Sequence, residues 1–297
     1  MSPKLREIKD RSPRWVKDAA NYGTRRYGVW TAGSRPLPDF LIIGTKRGGT
    51  TSLWNNLLRH PQVAGMWPAA RGRKSSDFFF SEWDQSLDWF RSHFTSHRSL
   101  PAADGGSLPV LAGEASPYYM YGPDIPQRMS VLVPDVKLVV LLRDPVERAF
   151  SHYQERRQEG VEPLTFGEAL AAEPERLSVG ADTTPLGGYD QAHDFYSYRD
   201  RGLYLPQIKR LHQYFASEQV LILRSEDFYE DYQRAFDGVC EYLGIPRLNL
   251  GRAEHHNSIP RSPMSDEVRE DLSAFYRAPN AALEDYLGRE FGWQQGG

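Results

Sequence analysis

Apolar runs without polar alternation punctuate the chain at Phe40-Leu41-Ile42-Ile43, Val110-Leu111-Ala112, Leu138-Val139-Val140-Leu141-Leu142 and Val220-Leu221-Ile222-Leu223, and Val63 opens a shorter one. Such runs suit strands, and the unbroken Leu138–Leu142 run implies burial on both faces, as in a parallel sheet covered by helices. Between them the apolar residues recur every three or four positions. Leu53, Trp54, Leu57 and Leu58 mark one helix, closed by His60-Pro61. Leu87, Phe90 and Phe94 predict another over 86–94, Val146, Ala149, Phe150 and Tyr153 a third, and Leu205, Ile208, Leu211 and Phe215 a fourth. Further helices are expected near 232–243 and over 265–287, the last interrupted at Pro279.

Residues 101–108 read as an exposed loop, and 178–195, which hold Gly180, Pro185, Gly187 and Gly188, as a long one of the kind that often carries function. Strands alternating with helices predict an α/β fold, a three-layer sandwich with a central parallel sheet flanked by helices. The chain divides into an irregular basic arm, 1–38, and one domain, 39–297. Trp15, Tyr22, Tyr27 and Trp30 lie among the arm's Lys and Arg residues. They either dock the arm on the domain or meet a membrane surface or partner.

Composition narrows this picture. A hydrophobic content of 40% and a charged content of 25% are those of a globular chain, and a net charge of −3 gives no general nucleic-acid signal. The single Cys240 excludes an intramolecular disulfide and a multi-cysteine metal site. No apolar stretch approaches the roughly 18 residues that span a bilayer, nor does the N-terminus hold a signal-peptide core, so a cytoplasmic location is expected.

The chemistry gathers at two strand ends. Gly44-Thr45-Lys46-Arg47-Gly48-Gly49-Thr50-Thr51-Ser52 joins the first strand to the first helix. Converging backbone N–H groups, the helix dipole and the close approach that glycine permits make such a loop a phosphate cradle. Against the pattern G-x-x-x-x-G-K-[ST], Gly44, Gly49 and Thr51 are in register, yet Thr50 occupies the lysine position and the lysine stands at Lys46. The second stretch is Arg143-Asp144-Pro145-Val146-Glu147-Arg148-Ala149-Phe150-Ser151. Asp144 suits a helix cap and Pro145 the first helical position. Ser151, about two helical turns beyond Arg143, can face the same anion.

The displaced lysine, the glycines and the threonine pair resemble the 5′-phosphosulfate loop of sulfotransferases, especially the heparan sulfate sulfotransferase branch and its bacterial relatives, making the expected fold P-loop-like. The R-D-P-x-x-R-x-x-S-x-Y stretch resembles that family's 3′-phosphate site. The landmarks Arg201-Gly202-Leu203-Tyr204, Phe275-Tyr276-Arg277 and Phe291-Gly292-Trp293 extend the likeness from about Leu41 onward. The resemblance implies 3′-phosphoadenosine 5′-phosphosulfate (PAPS) as donor, 3′-phosphoadenosine 5′-phosphate (PAP) as product, and no metal. Lys46, Arg47, Gly48, Gly49, Thr50, Thr51, Arg143, Ser151 and Arg261 would then hold the donor. Lys46 would stabilise the leaving phosphate oxygen, and Arg47 would point to solvent or to a phosphate edge.

The implied base is missing. The family's K-E-x-x-F-F segment appears as Lys74-Ser75-Ser76-Asp77-Phe78-Phe79, with Ser75 in the place of glutamate. Asp77 and Glu114 stand as equal alternatives. Arg71, Arg73 and Lys74 suit an anionic acceptor, and Tyr118, Tyr119, Tyr189, Tyr196 and Tyr198 suit stacking on a sugar or aromatic ring. The expected acceptor is a hydroxyl or amine of a glycan, glycolipid or secondary metabolite. A phosphate-loop kinase and a donor-binding protein that has lost transfer are the rival readings.

Overall fold

The computed structural model describes residues 14–96, 99–101, 107–183, 190–251 and 263–293. Its strands are β1 (Phe40–Gly44), β2 (Val63–Ala64), β3 (Ser99–Pro101), β4 (Ser107–Pro109), β5 (Leu111–Ala115), β6 (Lys137–Leu142) and β7 (Val220–Arg224). β3 and β4 form an antiparallel pair, and the other five form one parallel sheet in the order β2-β5-β1-β6-β7.

The absence of polar alternation in β1 and β6 follows from this arrangement. Leu41, Ile43, Leu138, Val140 and Leu142 enter one core with Phe90, Met129 and Ile208. Phe40, Ile42, Val139 and Leu141 enter a second core with Leu53, Trp54 and Phe236. Helices therefore cover both faces. Full burial of each such side chain contributes roughly 1.5–3 kcal/mol, which makes the two middle strands the rigid part of the sheet. A third cluster joins Val146 and Phe150, from the Pro145–Gln158 helix, to Tyr198, Leu272 and Tyr276.

From β1 the chain builds β2 and β5 on one side, then crosses to β6 and β7 on the other. The strand order reverses there, and the crevice beyond the carboxyl ends of β1 and β6 is where sheets of this type bind ligands.

Several local expectations are corrected. Within the supposedly irregular arm, Arg14–Trp30 is a helix. Pro101, Ser107 and Leu108 belong to the β3–β4 pair. Residues 178–183 continue the Phe166–Thr183 helix, and 191–195 lie in the Gln191–Tyr196 helix. A glycine inside a helix costs only about 1 kcal/mol, whereas Phe166, Ala169 and Leu170 are buried and the Glu173 carboxylate accepts from the Arg199 and Asp200 N–H groups at 2.8–2.9 Å. Pro185, Gly187 and Gly188 lie outside the described residues. The Asp266–Leu287 helix runs through Pro279 without a break, anchored on either side by buried Leu272, Tyr276 and Leu283. Leu87 is 39% exposed, so only Phe90 and Phe94 of that expected face are buried.

Candidate active site

The loop after β1 is built by backbone contacts. The Thr45 N–H donates to Leu141 O at 2.8 Å, the Gly48 N–H to Thr45 O at 2.8 Å, and Ser225 Oγ to Gly48 O at 2.6 Å. A Cβ on Gly48 would lie 2.7 Å from Leu141 O, and Gly49 has φ of +97°. The loop needs both glycines for these reasons. Gly49 caps the Thr50–Leu57 helix without a side-chain hydrogen bond, so the first N–H groups of that helix are left for a ligand.

A cavity of about 1080 Å³ opens over this loop. It is lined by Lys46, Thr50, Thr51, Lys74, Arg143 and Ser151, among others, so the two strand-end motifs converge on one space. The Asp144 cap explains the second motif locally: its Oδ1 accepts from the N–H groups of Val146 and Glu147, and Pro145 begins the helix that carries Ser151. Tyr204 OH donates to Arg143 O at 2.8 Å and fixes the end of β6.

The cations are already compensated. Lys46 is 4% exposed, and its Nζ lies 3.3 Å from Asp194 Oδ1 and 3.6 Å from Glu155 Oε2. Burial first, and then Arg201, lower its pKa to about 8, against the opposing pull of Asp194 and Glu155. Arg47 does not point to solvent. Its Nε donates to Ser151 Oγ and its guanidinium pairs with Glu155, each at 3.0 Å. Arg143 donates to Arg47 O at 3.1 Å and lies 3.8 Å from Glu147. Lys74 donates to Thr51 Oγ1 at 2.8 Å, and burial lowers its pKa. An anionic ligand entering here would exchange these carboxylate partners for its own oxygens, with the cationic side chains already held in place.

The two candidate bases occupy different environments. Glu114 is fully buried and is absent from the cavity lining. Its Oε2 accepts from the Ser76 N–H and Oγ, and its Oε1 from Tyr119 OH, all at 2.7 Å. Burial raises its pKa to about 7, outweighing those bonds. Asp77 lines the cavity, and its Oδ1 accepts from Ser75 Oγ at 2.7 Å and from Ser116 Oγ at 2.9 Å. Glu114 thus pins the segment at Ser76, and Asp77, with φ of +58°, turns it beside the lysine loop.

Of the suggested acceptor residues, Arg73, Lys74 and Tyr118 line the cavity. Arg71 instead reaches the Arg14–Trp30 helix. Tyr119 and Tyr198 have no exposed surface and are unavailable for stacking. Tyr196 lies beneath the Arg176 guanidinium, at 4.3 Å. Arg261 and Tyr189 fall outside the described residues. Sequence reasoning missed Glu155 and Asp194. The i+4 spacing of Glu155 from Ser151 on one helix was an available signal, but Asp194 sat in the stretch read as a loop and had none.

The model of the sulfotransferase domain family matches residues 37–261, and the chain belongs to that family. It is similar to the membrane-associated sulfotransferase kil1 of Dictyostelium discoideum, 25% identical across 87% of this chain and 67% of the relative. It is also similar to human heparan sulfate glucosamine 3-O-sulfotransferase 3B1, 26% identical across 88% of this chain and 66% of that one. The chain therefore spans about two thirds of the length of these two relatives. The crystal structure of a sulfotransferase from Alicyclobacillus acidocaldarius superposes with a TM-score of 0.66 at 29% identity, covering 87% of this chain and 99% of that one.

Proposed function

We propose that this chain transfers the sulfuryl group of PAPS to a hydroxyl or amine of a glycan, glycolipid or secondary metabolite. The observation that carries the reading is the convergence of the Lys46 loop and the Arg143–Ser151 pair on one cavity at the sheet's switch point. The uncapped helix start and a cationic set of Lys46, Arg47, Lys74 and Arg143 fit a ligand with two separated phosphate groups.

In this reading Lys46, the N–H groups at 49–51 and the Thr50 and Thr51 hydroxyls hold the 5′-phosphosulfate end. Arg143 and Ser151 hold the 3′-phosphate, and the resemblance adds Arg261 to the donor contacts. The donor supplies an activated sulfuryl group. Lys46, dry and fixed, stabilises negative charge on the leaving oxygen. Asp77 is the base: the residue lines the cavity, and its carboxylate is oriented by two serine hydroxyls, one of them from the residue that replaces the family glutamate. Glu114 is a positioning residue, acting through Ser76.

Titration calorimetry with PAP tests the donor site. Binding lost in Lys46→Ala and in Arg143→Ala supports it, while no binding, or binding indifferent to both, overturns it. The second reading, a donor-binding protein without transfer, rests on Ser75. PAP binding without turnover over a broad acceptor panel favours it.

A further inference from the structure

We propose that the outward face of the Arg14–Trp30 helix is a docking surface for an anionic lipid membrane. The helix is fixed to the domain by its inner side. A Cβ on Gly28 would stand 3.0 Å from both Ser92 and Trp67, Arg25 donates to Ser92 Oγ at 2.6 Å, and Arg71 reaches back to Asn21 O at 3.0 Å. The outer side carries Tyr22 and Trp30, 65% and 81% exposed, and at its edge Tyr27, 54% exposed, leans on Trp67 of the domain with ring centres 6.0 Å apart. Tyr22, Arg26 and Trp30 follow one another at i, i+4 spacing, and the Arg26 guanidinium lies 5.6 Å from the Tyr22 ring centre. Tyr27 and Trp30 are adjacent, with ring centres 6.1 Å apart. Amphipathic rings interleaved with arginine on a helix anchored from behind are the composition of a headgroup-level contact.

Charge chooses the occupant and its orientation. Residues 1–30 hold eight Lys or Arg against three Asp or Glu, a net +5 in a chain of net −3, so the remainder carries −8. An anionic surface repels the bulk of the molecule and attracts this end. Behind the helix Arg25 stands near Arg71 and Arg73, and Arg73 and Lys74 line the cavity. A soluble glycan is the poorer match, because the rings stand on the convex outer side of a helix that contributes nothing to the donor cavity.

Flotation of the full chain with vesicles of phosphatidylcholine, alone or with one third phosphatidylglycerol, tests the proposal independently of sulfuryl transfer. Binding is expected to the anionic vesicles only and to weaken with added salt. Trp30→Ala should weaken it about tenfold and Arg26→Ser about fivefold. Unchanged PAP affinity or an unchanged melting temperature shows that the variants are folded. Absence of vesicle binding, or binding that both variants leave intact, overturns the proposal. So does retention on dextran sulfate that the variants lose while vesicles are ignored, which would assign the face to an anionic glycan.

Discussion

Lys46 keeps its ammonium in a site that lowers its pKa to about 8, so charge in the cavity is sensitive to mild alkali. The group is neutral above that value, and PAP affinity is expected to fall as pH rises from 7 to 9. In Lys46→Arg the fall should vanish, because a guanidinium stays protonated throughout; calorimetry across this range makes the comparison. Glu114 titrates in the opposite sense. Its folded pKa of about 7 lies above the ordinary 4.5, so the native state retains the proton longer than the unfolded chain. Stability is then fully present below about 4.5 and is lost as pH rises to about 7, by on the order of 3 kcal/mol. Glu114→Gln keeps an acceptor for Ser76 and should flatten that loss in denaturant titrations while leaving substantial turnover. Asp77→Asn should reduce turnover by roughly 10²-fold or more, with PAP binding preserved, and the reverse pattern would return the base to Glu114. The residue types at both positions were legible in the sequence. Which of the two residues lines the cavity was not, because it depends on Ser76 turning inward and Asp77 adopting a left-handed backbone.

At the scale of elements, the loop between β1 and its helix depends on backbone that no side chain can enter. Gly48→Ala sets a Cβ against Leu141 O at 2.7 Å and should lower the melting temperature and abolish PAP binding together, since the collision is with the sheet itself. Gly238→Ala is the control. It lies exposed in the Tyr232–Leu243 helix with nothing within 4 Å of an added Cβ, and should stabilise by up to about 1 kcal/mol with no effect on the ligand. Thermal melts of the two variants side by side check both signs. β1, β6 and the Gly-rich turn between β1 and its helix were readable because burial on both faces leaves an unbroken apolar run at the two strands. The helices over 178–183 and through Pro279 were not, because Gly180 and Pro279 disfavour helix locally and the compensation comes from contacts made by distant residues, Glu173 with 199–200 and Tyr276 with Arg199.

For the whole molecule, the site depends on β1 and β6 being neighbours, a pairing that joins segments about a hundred residues apart and that no local pattern encodes. Order along the chain does not supply it either, since consecutive strands usually pair and that rule would set β6 beside β5. A ligand held by both strand ends ties together the two halves of the sheet and both cores packed on it, so its binding energy should appear in global unfolding. At a hundredfold excess over Kd, one bound PAP adds about 2.7 kcal/mol. For a chain of this size that is a rise of roughly 4 °C in melting temperature. Arg143→Ala removes the contact from β6 while leaving the Lys46 loop in place, and its melting temperature should respond little to the nucleotide. Differential scanning calorimetry with and without PAP reads both. An unaltered shift in Arg143→Ala would mean that the β1 loop binds alone and that the second strand end contributes no part of the donor site.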